Sequence, residues 1–157
     1  MIKRIKVYDL DGVLVDTSHR YRNNADGSID LNYWFANRTS EKIAQDKLLP
    51  MSEQYRRDIA NPETYVIICT ARSDDFSADV KFIRERLGMP DKLLMRPTGN
   101  KEGDAKLKRK QLSRLFNLKQ FRHVPRFFWD DNIKNLAACV TLFTKVFHVE
   151  SEITYNG

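Results

Sequence analysis

Short runs of apolar, β-branched residues alternate along this chain with stretches whose apolar positions recur three and four residues apart. Ile5, Val7 and Tyr8 form the first run, and 65–69 (Tyr-Val-Ile-Ile-Cys) is a continuous one of the kind buried on both faces of a sheet. Residues 92–95, 126–129 and 144–149 are three further strand candidates. Between them, Phe76, Val80, Ile83 and Leu87 fall at helical spacing and end at Gly88. A second helix is predicted from Asp104 to about Asn117, with Ala105, Lys108, Leu112, Leu115 and Phe116 on one stripe. A third carries Ile133, Leu136, Ala137 and Val140. Strands alternating with helices predict an α/β fold with a mostly parallel sheet. Residues 17–61 interrupt the alternation. They open polar and turn-rich, pass through Tyr33-Trp34-Phe35, continue into a helix predicted over 40–49 before Pro50, and end at Asn61-Pro62. This segment reads as a small insertion after the first strand, its aromatic triplet anchoring it to the body.

Composition narrows the picture. The 157 residues fit one domain, 1–157, and 41% hydrophobic with 31% charged residues suits a soluble globular protein. No apolar run approaches the roughly 20 residues that span a bilayer, so no membrane partner is expected. The basic N-terminus runs straight into the first strand, without a signal-peptide core. Cys69 and Cys139 lie in apolar segments and read as buried free thiols, which points to a reducing cytoplasm. The net charge of +6 fits a polyanionic partner, nucleic acid first, although many proteins that never touch DNA are equally basic.

The candidate chemistry gathers at strand ends, where open α/β sheets bind ligands. The first strand delivers Asp9 and, past a turn signalled by Asp11-Gly12, Asp11. The second delivers Thr70 and Arg72, the short third Arg96, and the fourth Asp130 and Asp131. Four converging carboxylates need a cation, and hard oxygen donors without Cys or His favour Mg²⁺. Lys108 lies on an inward stripe, costly for a lysine unless an anion awaits it. The set suits phosphoryl transfer to a carboxylate. Asp9 is the nucleophile and Asp11 the proton donor and acceptor, while Thr70 and Lys108 hold phosphoryl oxygens. The metal is assigned to Asp9, the Asp11 backbone carbonyl, Asp130 and, through water, Asp131.

These four stretches resemble the motifs of the haloacid dehalogenase superfamily of phosphohydrolases: Asp9-Leu10-Asp11-Gly12-Val13-Leu14, Thr70, Lys108, and Asp130-Asp131, in order across nearly the whole chain. The resemblance implies a Rossmann-like three-layer sandwich with 17–61 as a small cap. Thr70-Ala71-Arg72, Leu94-Met95-Arg96-Pro97 and Gly103-Asp104 are similar to the 3′-phosphatase domain of bacteriophage-type polynucleotide kinase/phosphatase, which implies that Arg72 and Arg96 contact the substrate phosphate. Ala105 and Asn132 depart from that pattern, and no G-x-x-x-x-G-K-[ST] kinase motif occurs.

The first expectation is therefore an Mg²⁺-dependent phosphatase acting on nucleic acid 3′-phosphate ends. Its rival is a 5′-nucleotidase acting on (deoxy)nucleoside monophosphates with the same core residues. A non-catalytic nucleic-acid-binding module is the third reading, opposed by the carboxylates Asp9 and Asp11 where such a module needs positive charge.

Overall fold

A computed structural model describes residues 1–150; residues 151–157 of the expected domain lie outside the described part. The strands are β1 (Arg4–Tyr8), β2 (Val15–Asp16), β3 (Lys47–Leu48), β4 (Thr64–Ser73), β5 (Lys92–Arg96), β6 (Arg126–Asp130) and β7 (Lys145–His148). The helices are α1 (Leu31–Ala36), α2 (Ser40–Ala44), α3 (Met51–Ile59), α4 (Ser77–Phe82), α5 (Asp104–Phe116) and α6 (Ile133–Cys139). Five strands make one parallel sheet in the order β5-β4-β1-β6-β7, and β2 pairs antiparallel with β3.

Alternate side chains leave opposite faces of the sheet, so each strand feeds two cores. Ile5, Val7, Ile67, Cys69 and Phe128 pack on Leu112 and Phe116 of α5 and Leu136 and Cys139 of α6. Tyr8, Val66, Ile68 and Trp129 pack on the other face against Tyr55 of α3, Ile43 of α2, and Phe82, Ile83 and Leu87. The sheet is thus the middle of three layers. Rings from adjacent strands stack across that second face, Tyr8 on Trp129 at 4.9 Å and Trp129 on Phe147 at 4.8 Å, near the spacing of neighbouring strands. Both cysteines are buried free thiols.

Several sequence expectations need correction. The helix expected over 40–49 stops at Ala44, because the Gln45 and Asp46 N–H groups close back on Lys42 and Ile43. Lys47–Leu48 then pairs with Val15–Asp16, and the Leu49 N–H donates to the Leu14 carbonyl. Pro50 does not follow a helix but introduces α3, a position where its missing N–H costs nothing. The aromatic triplet lies on a helix, α1, capped by the Asp30 carboxylate accepting from the Tyr33 N–H. After α4 the backbone widens into a π-turn over Ile83–Leu87, closed by the Gly88 N–H on the Ile83 carbonyl. The face buried here includes Asp79 and Phe82 rather than Val80.

Candidate active site

Asp9 follows β1 directly. Its N–H donates to the Trp129 carbonyl at 2.9 Å, and its Oδ1 accepts from the Leu10 N–H at 2.8 Å. The chain then turns sharply, with the Leu14 and Val15 N–H groups both reaching the Leu10 carbonyl. Gly12 is required twice over in this turn. Its φ is +80°, and a Cβ there would lie 2.0 Å from Asp131 Oδ2.

Asp130 ends β6 and is fully buried. The Asn132 N–H donates to its Oδ1 at 2.8 Å and Asn135 Nδ2 to its Oδ2 at 3.1 Å. Lys108 reaches in from α5, 1% exposed, and donates to Asp9 Oδ1 and Asp130 Oδ2 at 2.9 Å each. Carboxylate oxygens of Asp9, Asp130 and Asp131 lie within 4.8 Å of one another. Residues more than a hundred positions apart in sequence thus meet at the carboxyl ends of two neighbouring strands.

The electrostatics of this group are unbalanced. Burial pushes the Asp9 carboxyl well above its ordinary range, and the negative charges of Asp130 and Asp131 add to it, against the pull of Lys108. Burial and Asp130 likewise push Asp131 up to about 6. Burial opposes the charge on Lys108, but the two carboxylates more than offset it, so its pKa is raised and it stays an ammonium. With all three carboxylates ionised, as a bound cation would require, the single ammonium leaves two negative charges uncompensated. A divalent cation fits that deficit. The donors are all hard oxygens, and Gly12 leaves Asp131 the room to take part.

Asp11 has a different environment. Arg72 grips it in a fork, Nη2 to Oδ1 at 2.6 Å and Nε to Oδ2 at 3.0 Å. Burial raises its pKa, but the guanidinium more than offsets this and leaves it below the ordinary value. Arg72 also donates from Nη1 to Asp79 at 2.7 Å and lies 3.5 Å from Asp46. Asp46 is itself clasped by Arg20 at 2.8 and 3.0 Å and by His19 at 2.8 Å, all from the segment between β1 and β4. Sequence reasoning missed Asp46 and Asp79 and the pairing of Arg20 with Asp46, since the spacings among these residues follow no helical or strand period.

Of the residues expected to hold phosphate, Lys108 stands beside Asp9. The Thr70 side chain accepts from the Arg72 N–H at 3.2 Å and is buried. Arg96 is occupied by the chain itself: it donates to the Ala71, Asn100 and Glu102 carbonyls, the Asn100 side chain, and Asp104 at 2.6 Å, shaping the loop before α5. Asp9, Asp11, Arg72, Arg96, Lys108 and Asp131 all line one cavity of ≈ 1490 Å³. Among the described residues no helix is long and apolar enough to cross a membrane.

A five-stranded parallel sheet with a carboxylate after its central strand, a lysine from a flanking helix and an acidic pair after the next strand is the haloacid dehalogenase-like arrangement. The solved structures agree on the fold. A haloacid dehalogenase-like family hydrolase from Streptococcus pneumoniae superposes with a TM-score of 0.63 at 13% identity, over 90% of this chain and 82% of that one. A Pnkp1/Rnl/Hen1 complex structure gives 0.67 at 22% identity, over 94% of this chain and 46% of that one. The model of the bacteriophage T5 5′-deoxynucleotidase family matches residues 1–136, and the chain belongs to that family, one of phosphomonoesterases. The 5′-deoxynucleotidase of Escherichia phage T5 is 35% identical over 74 residues, 45% of this chain and 30% of that protein, so the match spans under a third of the relative's length.

Proposed function

We propose that this chain is a magnesium-dependent phosphomonoesterase that removes the phosphate from deoxynucleoside 5′-monophosphates through an aspartyl phosphate on Asp9. The observation that carries it is the meeting of Asp9, Lys108 and Asp131 at the wall of one open cavity, with the buried Asp130 directly behind them on Lys108. The substrate class is supported by family membership and by the phage T5 relative. These favour the mononucleotide alternative over the polynucleotide 3′-phosphatase expected first from the sequence. The motif residues behind that first expectation, Arg72 and Arg96, already spend their guanidinium donors on Asp11, Asp79, Asp104 and backbone carbonyls.

In the reaction, an Asp9 carboxylate oxygen attacks phosphorus in line, forming the acyl phosphate as the bond to the ester oxygen breaks. Lys108, fixed between Asp9 and Asp130, remains charged and faces the charge that grows on the phosphoryl oxygens. Thr70 is assigned to the same oxygens. Asp11 passes a proton to the departing 5′-oxygen, for which it must be protonated and Arg72 must loosen its fork. Water then attacks the acyl phosphate. Asp11, now ionised, takes its proton, and inorganic phosphate leaves with Asp9 restored. Asp9, Asp130 and Asp131, with the Asp11 carbonyl, would hold Mg²⁺, which when bound offsets the repulsion between the anionic nucleophile and an anionic ester. Arg72 and Arg96 act in this scheme by placing Asp11 and the 97–103 loop, and residues 17–61 act as the cap over the cavity.

The test is turnover with Mg²⁺ on four substrates: a 5′-dNMP, a 3′-dNMP, a 5′-phosphorylated oligonucleotide and a 3′-phosphorylated one. Preference for the 5′-dNMP is expected. Preference for the 3′-phosphorylated strand would restore the polynucleotide reading, and inactivity on all four would reject both.

A further inference from the structure

Eight large apolar side chains stand exposed among the described residues, and half of them line the cavity that holds Asp9 and Asp11. Ile29, Leu31 and Phe35 come from the segment between β1 and β4, with exposures of 40%, 57% and 61%. Ile133, 65% exposed, comes from the first turn of α6, three residues beyond Asp130. Exposed apolar groups scattered over a surface need no explanation, but a set gathered at the mouth of one polar cavity does.

The neighbours of Phe35 are already employed. The Arg20 guanidinium lies 4.5 Å from the Trp34 ring centroid and the Arg22 guanidinium 4.4 Å from that of Tyr33, so those two rings serve the segment's own structure. Phe35, one position on, is the ring of the triplet left largely to solvent.

We infer that Phe35, with Leu31 beside it on α1, and Ile133 on the body form an apolar clamp for the nucleobase of the substrate. It rests on the mononucleotide reading above and deepens it. The phosphate end of the substrate is fixed beside Asp9 and Lys108, and the leaving alcohol carries a flat, largely apolar-faced ring into the same cavity. A planar base offers the same π-face whatever its edge, so an aromatic ring on one side and a branched aliphatic side chain on the other grip it without reading its hydrogen-bonding groups. The clamp joins two separate parts of the chain: α1 belongs to the inserted segment, whereas α6 belongs to the layer that also supplies Asp130.

The experiment compares kcat/KM for a 5′-dNMP with kcat/KM for 2-deoxyribose 5-phosphate, which keeps the phosphate and sugar but lacks the base. In the parent enzyme the dNMP is favoured. Phe35→Ala and Ile133→Ala each lower that ratio by roughly tenfold, mostly through KM for the dNMP, the first through loss of a stacking ring and the second through loss of buried aliphatic contact. Phe35→Trp holds or raises it. A purely structural role would depress both substrates together and leave the ratio unchanged, and that result overturns the clamp. If the parent prefers 3′-phosphorylated strands instead, the mononucleotide reading itself fails, which the parent's substrate panel reveals independently of any variant.

Discussion

Replacing Lys108 by methionine removes the ammonium that stands between Asp9 and Asp130 while keeping most of the buried side-chain volume. At 2.9 Å each contact has a gross attraction of roughly 6 kcal/mol with an effective dielectric of about 20, most of which is offset by the cost of burying the charge. What the variant exposes is the other side of that balance: buried carboxylates without their counter-charge, a loss of about 3–5 kcal/mol. The lower end of that range applies, since Asp130 keeps Asn132 and Asn135 and Asp9 keeps the Leu10 N–H. Urea melts in EDTA measure it. A cycle with Asp9→Asn isolates the pair: neutralising Asp9 is expected to be more favourable in the methionine background than in the lysine background by about 1–3 kcal/mol. Mg²⁺ narrows the gap, because the variant has one positive charge fewer among the carboxylates, binds the cation more tightly than the parent, and so gains more from binding confined to the folded chain. Turnover falls by at least about a hundredfold even with saturating Mg²⁺. Equal melts in EDTA, no coupling in the cycle and turnover near that of the parent would return Lys108 to an ordinary solvated role.

Asp9→Asn is expected to lower turnover by at least ~10³-fold with an unchanged circular dichroism spectrum, because the amide cannot form the acyl phosphate. Gly12→Ala combines a left-handed φ with a Cβ driven into Asp131; it should destabilise by about 1–2 kcal/mol and weaken Mg²⁺ binding measured by calorimetry. Asp131, pushed up to about 6 from an ordinary 3.8, gives the metal-free protein a penalty present above pH 6 and lost as pH falls through 6 towards 4. This group therefore makes stability in EDTA rise as pH falls through that window, and Asp131→Asn should remove that part of the rise.

The sheet was readable because strands buried on both faces need unbroken apolar runs, as at Val66–Cys69, and because their ends were marked by charges too costly to bury unpaired. Lys108 was readable for the same reason: a lysine on the stripe of Leu112 and Phe116 demands an anion. The inserted segment was harder. Its helices are short, and what separates α2 from α3 is a two-residue strand and a proline, features that local propensity does not rank. Of the ionic cluster of Arg20, Asp46, Arg72 and Asp79, only Arg72 was legible as a site residue, and its partners were not. Arg20 and Asp46 lie 26 residues apart, and each alone is an ordinary surface residue type, so only the fold reveals that both are buried.

That cluster explains why two carboxylates one residue apart receive opposite treatment. Asp11 belongs to a set that nearly balances itself, with Arg72, Arg20 and Arg38 facing Asp11, Asp46, Asp79 and Asp75. Asp9 belongs to the set that does not, with Lys108 facing Asp130 and Asp131 as well. Without a cation the outcome is the reverse of what the reaction needs, Asp9 inclined to hold a proton and Asp11 to lose one. Two positive charges placed among Asp9, Asp130 and Asp131 would lower Asp9 into the nucleophile's range. In the proposed reaction the proton carried by Asp11 depends on how firmly Arg72 holds it, and Arg72 is anchored by Asp79 at 2.7 Å and, at 3.5 Å, by Asp46, which Arg20 and His19 of the inserted segment clasp. The acid of that reaction would thus be positioned by Arg72, held from α4 by Asp79 and from the inserted segment by Asp46, while the nucleophile would be set by the metal.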